Sequence, residues 1–131
     1  MKVTHHTDIE AQTVEMEGAH ETKVRWLISQ STGAENFAMR MFEIAPGGHT
    51  PRHQHDYEHE IYVLEGEGTV LDGNQQRPLK AGDVIYVNPH DIHQFRNNGT
   101  QVMKMLCLIP NSAAGKQVTV VPECGVERPA S

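Results

Sequence analysis

Apolar and polar positions alternate in short bursts along the chain, and no stretch carries a helical stripe. Val24–Ile28, Phe37–Ile44, Ile61–Leu64, Thr69–Leu71, Val84–Val87, Val102–Ile109 and Val118–Val121 are rich in β-branched or apolar residues, as half-buried strands require. Between them stand Pro46-Gly47-Gly48, Gly66-Glu67-Gly68, Asp72-Gly73-Asn74, Ala81-Gly82-Asp83, Asn88-Pro89 and Asn97-Asn98-Gly99, each suited to a tight reversal. Many short strands at this spacing predict an all-β sandwich or barrel. Met103, Met105, Cys107 and Ile109 share a parity and read as core, with Met105 and Cys107 as candidates to wall an internal cavity. Arg40 shares a parity with Ala38, Phe42 and Ile44, so an inward face would place one cation in an apolar mouth. The pattern leaves its inward and outward orientations equally open.

With 131 residues the chain has enough length for one core, so a single domain over residues 1–131 is expected, with its barrel at about 24–110. The first twenty or so residues and the stretch Pro122–Ser131 read as tails outside that core. A formal charge of -6, with only 11 Lys and Arg, supplies no basic surface for nucleic acid or anionic membrane. The longest apolar run, around Met105–Ile109, is too short to cross a bilayer, and a cytoplasmic protein acting on a small molecule is expected. Two cysteines, Cys107 and Cys124, make no disulfide framework and no Cys-x-x-Cys knuckle, so free thiols are expected.

Histidine is the outlier, at 9 residues, and its placement is informative. His53 and His55 lie two apart, so on a strand their side chains share a face roughly 6–7 Å apart, close enough to converge on one ion. His59 then opens the strand Ile61–Leu64, and His93 arrives from beyond Val84–Val87 and the bend at Asn88-Pro89. Four nitrogens from three strands would leave adjacent coordination positions open for a ligand. His5, His6, His20 and His49 read as solvated, and His90 as part of the bend or a support of the site. Glu58 and Glu60 flank His59 and could accept an imidazole N–H, but alternation points them away from its face, toward the surface.

Gly47, His53-x-His55, position 59 and Gly66 stand at the spacing of the first cupin motif, with His59 where Glu is usual. Gly82, His93 and Asn97 stand at the spacing of the second, whose Pro-x-Gly is here Asn88-Pro89-His90. Over about residues 24–110 the chain resembles the cupin superfamily, and in particular the small tetrahistidine cupins that bind manganese. The resemblance implies a double-stranded β-helix, or jelly-roll, barrel. It also implies one divalent ion on His53, His55, His59 and His93, with manganese first; the affinity order for nitrogen donors, which puts copper, nickel and zinc above manganese and iron, leaves iron, copper, nickel and zinc as alternatives. It further implies a homodimer, with the strand around Trp26 and the N-terminal segment as contributors. Similar cupins include dioxygenases that cleave carbon–carbon bonds, so a metal-dependent oxygenase or redox enzyme is the first expectation. A non-catalytic metal-dependent binding module, or a non-redox lyase or isomerase, are the alternatives. Neutral His59 in place of a carboxylate leaves the site more positive, which favours a small carboxylate, enolate or peroxide anion as ligand.

Overall fold

In the computed structural model, which describes residues 1–113 and the strands Thr119–Val120 and Arg128–Pro129, antiparallel strands follow one another through tight turns. They are β1 (Gln12–Thr13), β2 (His20–Ile28), β3 (Phe37–His49), β4 (His53–Gln54), β5 (His59–Glu65) and β6 (Glu67–Asp72). β7 (Gln75–Lys80), β8 (Val84–Val87), β9 (His93–Arg96), β10 (Met103–Pro110), β11 (Thr119–Val120) and β12 (Arg128–Pro129) complete the set. Helical structure among the described residues is limited to single 3-10 turns at His6–Asp8, Gln30–Thr32 and Asn111–Ala113. The predicted strands from Val24–Ile28 to Val102–Ile109 are all present, with ends shifted by local pairing. Of Val118–Val121 and the tail Pro122–Ser131, only β11 and β12 fall within the described residues, and Cys124 lies outside them.

One side of the molecule is the sheet β1-β2-β3-β10-β5-β8, and the other is β7-β6-β9-β4-β11-β12. The sheet curls from one to the other where the far end of β3 meets β9, through the pair His49↔Arg96. This is the all-β jelly-roll arrangement, with the core between the two layers. β10 shows the reason most clearly, since its residues alternate strictly between buried and half-buried. Met103, Met105, Cys107 and Ile109 form the buried face and meet Ile44 of β3, Val63 of β5 and Phe95 of β9 in one cluster.

Two turn residues hold the layers in register. Gly66 has φ +84°, and a Cβ there would stand 2.8 Å from the Val102 carbonyl oxygen, so only glycine fits the close approach to β10. Asn97 is buried and donates its amide to the carbonyls of Ile44 (2.8 Å) and Gln101 (2.7 Å) while accepting from the Gly99 N–H (2.9 Å). It therefore clips the end of β9 to β3 and closes the turn that leads to β10.

The N-terminal segment departs from expectation. Read as a tail, it instead adds β1 to β2 through Gln12↔Val24 and Thr13↔Lys23. The Val14 N–H donates to Thr22 O, and Arg25 holds the carbonyls of His6 and Ile9 while pairing with Glu43 at 2.8 Å. The attachment is made largely by main-chain groups, which leave no trace in side-chain alternation.

Candidate metal centre

β4 is only two residues long, and its first, His53, is paired directly with His93 at the start of β9. Their ring centroids are 4.3 Å apart. His55 lies past the end of β4, so its approach is set by the turn, not by strand parity. The His90 N–H donates to the His55 carbonyl at 2.7 Å, and His90 itself is exposed with φ +70°. His90 thus belongs to the bend, and its backbone braces the centre. His59 opens β5, opposite Val87 of β8.

The inner nitrogens are assigned by the outer ones. Nδ1 of His53 meets the Pro51 carbonyl at 2.6 Å, Nδ1 of His55 that of Tyr57 at 2.8 Å, and Nδ1 of His93 that of Asp91 at 2.8 Å. A carbonyl can only accept, so each Nδ1 carries the proton and each Nε2 keeps its lone pair. His53, His55 and His93 bring ligand atoms within 4.8 Å of one another, a spacing that one ion can bridge. Nε2 of His55, His59 and His93 is buried with no hydrogen-bond partner, which would be costly unless something else accepts the lone pair. The donor set fits a divalent ion of intermediate softness.

His59 stands beside this trio and outside it. Its ring stacks on His55 at a centroid distance of 4.3 Å, and its Nδ1 lies 3.4 Å from Cys107 Sγ. Of the four ligands the resemblance implies, three are gathered by the fold as a cluster able to hold an ion. Glu58 and Glu60 are exposed, and the acceptor for the neighbouring His55 Nδ1–H is a backbone carbonyl, so the surface reading of both acids holds.

Burial keeps the centre neutral. It lowers the pKa of His53 to about 3 and of His55 to about 4, with the neighbouring His93 adding to both shifts. His59 is lowered by burial and then by His55 and Arg40, and His93 by burial. All four imidazoles are unprotonated near neutral pH, the state that ligates metal.

A cavity of about 240 Å³ opens against His53, His59 and His93. Trp26, Phe42, Tyr57, Ile61, Phe95 and Met105 wall it, and Val14 and Met16 of the N-terminal segment contribute as well. Arg40 faces inward. Register places Trp26, Arg40 and Cys107 in one row across β2, β3 and β10. The Arg40 guanidinium carbon sits 5.4 Å from the Trp26 ring and 4.9 Å from the Phe42 ring. Its Nη2 donates to Cys107 Sγ at 3.0 Å, and its Nε is buried with no hydrogen-bond partner. Met105 and Cys107 both belong to the core cluster and line the cavity. Burial pushes the Cys107 thiol and the Tyr57 phenol up, so both stay protonated at neutral pH.

Tyr57 was readable only as part of a turn, yet its ring lies 3.9 Å from that of His55 and 6° from parallel. An aromatic two residues past a ligand was the available signal. Val14 and Met16 offered none, because strand addition by the N-terminal segment decides their position. His49 is half-buried beside the Thr50 carbonyl and Gln94, apart from the histidine trio. His5 stacks on His6 near the surface, and His20 is exposed.

A curled antiparallel double sheet whose interior presents a histidine cluster able to hold a metal ion defines an all-β barrel class. The chain belongs to the cupin family, whose domain model matches residues 40–109. It is 32% identical over 96 residues to the oxalate-binding protein of Thermotoga maritima, covering 70% of this chain and 78% of that one. A methylsulfurylase of Rhodospirillum rubrum, acting on 1-methylthio-D-xylulose 5-phosphate, is 28% identical over 71 residues, 54% of this chain but only 46% of that protein. Among solved structures, the polyketide cyclase RemF of Streptomyces resistomycificus superposes with a TM-score of 0.81 at 36% identity, covering 85% of this chain and 80% of that one.

Proposed function

We propose that the protein is a divalent-metal enzyme acting on an enolisable carbonyl compound by non-redox chemistry, making or breaking a carbon–carbon or carbon–oxygen bond. The observation that carries the proposal is the set of buried, unpartnered Nε2 atoms at the edge of an apolar, aromatic-walled cavity. The likeness to a polyketide cyclase over most of both chains supports it. His53, His55 and His93 would hold the ion, with His59 as the fourth ligand. When bound, a divalent ion supplies a Lewis acid that polarises an oxygen and stabilises enolate charge.

The rest of the chemistry falls to the walls. No carboxylate lines the cavity among the described residues, and Tyr57 and Cys107 are held protonated by burial. The walls therefore provide hydrogen-bond donors and no carboxylate base, so the proton lost from the enolisable carbon would pass to solvent at the cavity mouth. Trp26, Phe42, Tyr57 and Phe95 offer flat faces that orient a planar substrate and exclude water from it.

A redox reading is favoured by one observation, the all-imidazole donor set beside an apolar-walled cavity, which suits oxygenase chemistry on the same enolate. One experiment separates the two. Metal-loaded protein is incubated with 2,4-pentanedione in D₂O, with deuterium uptake at the central carbon followed by NMR and dissolved oxygen by electrode. Accelerated exchange without oxygen loss is the expected result. Oxygen consumption at the rate of substrate loss would establish the oxygenase instead, and neither signal would overturn both. Manganese is the ion we propose, and elemental analysis of protein produced without metal supplements tests it. We also propose that the chain works as a homodimer.

A further inference from the structure

The cation in the cavity wall is under-compensated. Among the described residues Arg40 makes no contact with a carboxylate; its one hydrogen bond goes to a thiol sulfur, a weak acceptor. Trp26 and Phe42 hold the guanidinium between flat faces, which fixes its position but supplies only part of the solvation that an acid or water would give. Nε is buried with no partner. Arg40 as a whole is half-buried, and a partly buried charge without a counter-ion is disfavoured; here it stands in the same cavity as a centre that would itself bring positive charge. Two cationic features and no anion in the lining call for a negatively charged occupant.

We propose that Arg40 is the specificity-determining residue of the cavity and selects a planar monocarboxylate, its guanidinium donating to the ligand carboxylate while Trp26 and Phe42 keep it aimed. This names the substrate class and rests on the reading of the cavity as the substrate site. Shape argues for one planar group over a bulky one. The cavity, at about 240 Å³, lies below the range of drug-sized pockets, about 300–1,000 Å³. Aromatic walls face it from several strands, and the Cys107 sulfur bonded to Arg40 also touches the His59 ring nitrogen, which sets the carboxylate position close to the centre.

Trp26 is the single tryptophan of the chain and stacks on Arg40, so its fluorescence reports occupancy directly. Chelator-stripped and metal-loaded protein are each titrated with benzoate and with its neutral counterpart benzamide. Both forms are expected to prefer benzoate by about tenfold or more, the scale of a charge-assisted hydrogen-bond pair. Arg40→Met should abolish that preference while leaving benzamide binding and metal content unchanged, and Arg40→Lys should retain part of it. The stripped protein separates this inference from the metal reading, since a preference there needs no ion. Equal binding of benzoate and benzamide by the parent, or an undiminished preference in Arg40→Met, would overturn the proposal.

Discussion

Each histidine of the centre is fixed at its outer nitrogen before any ligand arrives. With Nδ1 committed to the carbonyls of Pro51, Tyr57 and Asp91, the three Nε2 lone pairs face inward without a choice of tautomer. Replacing His53, His55 or His93 with Ala should strip the bound ion, and His59→Ala should weaken it; elemental analysis after dialysis reads the loss. Full occupancy in the His53→Ala, His55→Ala double variant would refute the assignment. Burial of neutral imidazoles also sets a pH dependence in the metal-free protein. Unfolded histidines take up protons below about pH 6.5, whereas His55 and His53 in the fold do so only near 4 and 3. The stabilising difference is present above pH 6.5 and is lost as pH falls from there toward 4. Each withheld proton steepens the fall by about 1.4 kcal/mol per pH unit. Urea midpoints measured between pH 7 and 4 should drop accordingly, and a flat profile would show the rings to be solvated.

Among elements, the centre depends on how β3, β9 and β10 are clipped together more than on any strand alone. β4 and β9 are too short to hold His53 opposite His93 without support, and Asn97 ties β9 to β3 through the Ile44 carbonyl. Asn97→Ala removes the side-chain partner of the buried Ile44 carbonyl and of the part-buried Gln101 carbonyl and Gly99 N–H, and should cost about 1–3 kcal/mol. Gly66→Ala places a Cβ against the backbone of Val102 and Met103 at a positive φ, for about 2–4 kcal/mol. Both should lower the urea midpoint with no change in slope, and Asn97→Ala should also reduce metal affinity, because it frees the strand that carries His93. A midpoint within error of the parent would dismiss the clip.

For the whole molecule, the outer face of the β5–β8 end carries exposed apolar side chains: Val84 at 75% exposure, Tyr86 at 54%, Tyr62 at 45% and Leu64 at 37%. Among the described residues β8 ends the sheet on that side, so an apolar face and an unpaired strand edge coincide there. We propose that the homodimer pairs through this face; the strand around Trp26, itself 37% exposed, and the N-terminal segment are the interface expected from the sequence. Trp26 lines the cavity together with Val14 and Met16 of the N-terminal segment. Light scattering should give twice the 14.6 kDa chain mass, and Val84→Lys with Tyr86→Lys should return it to the single value. A parent at 14.6 kDa at micromolar concentration would refute the dimer.

By itself the sequence determined the positions of β2, β3, β5, β6, β8 and β10, the turns and the spacing of the histidines, because period-two alternation, glycine at left-handed positions and residue spacing are local properties of a chain; it did not find β4, β7 or β9, whose polar residues carry no alternation. It also determined the inward face of β10, where four apolar residues alternate without interruption. Local pattern could not orient Arg40, whose neighbours on β3 are buried on both faces, Met41 among them. Nor could it find the strand addition by residues 12–14, which rests on main-chain hydrogen bonds, or the stacking of Tyr57 on His55, which lies in a turn. It could not decide that three of the four histidines gather while His59 stands against Cys107. Those outcomes depend on where strands distant in sequence come to lie, and only the packing of the two sheets decides that.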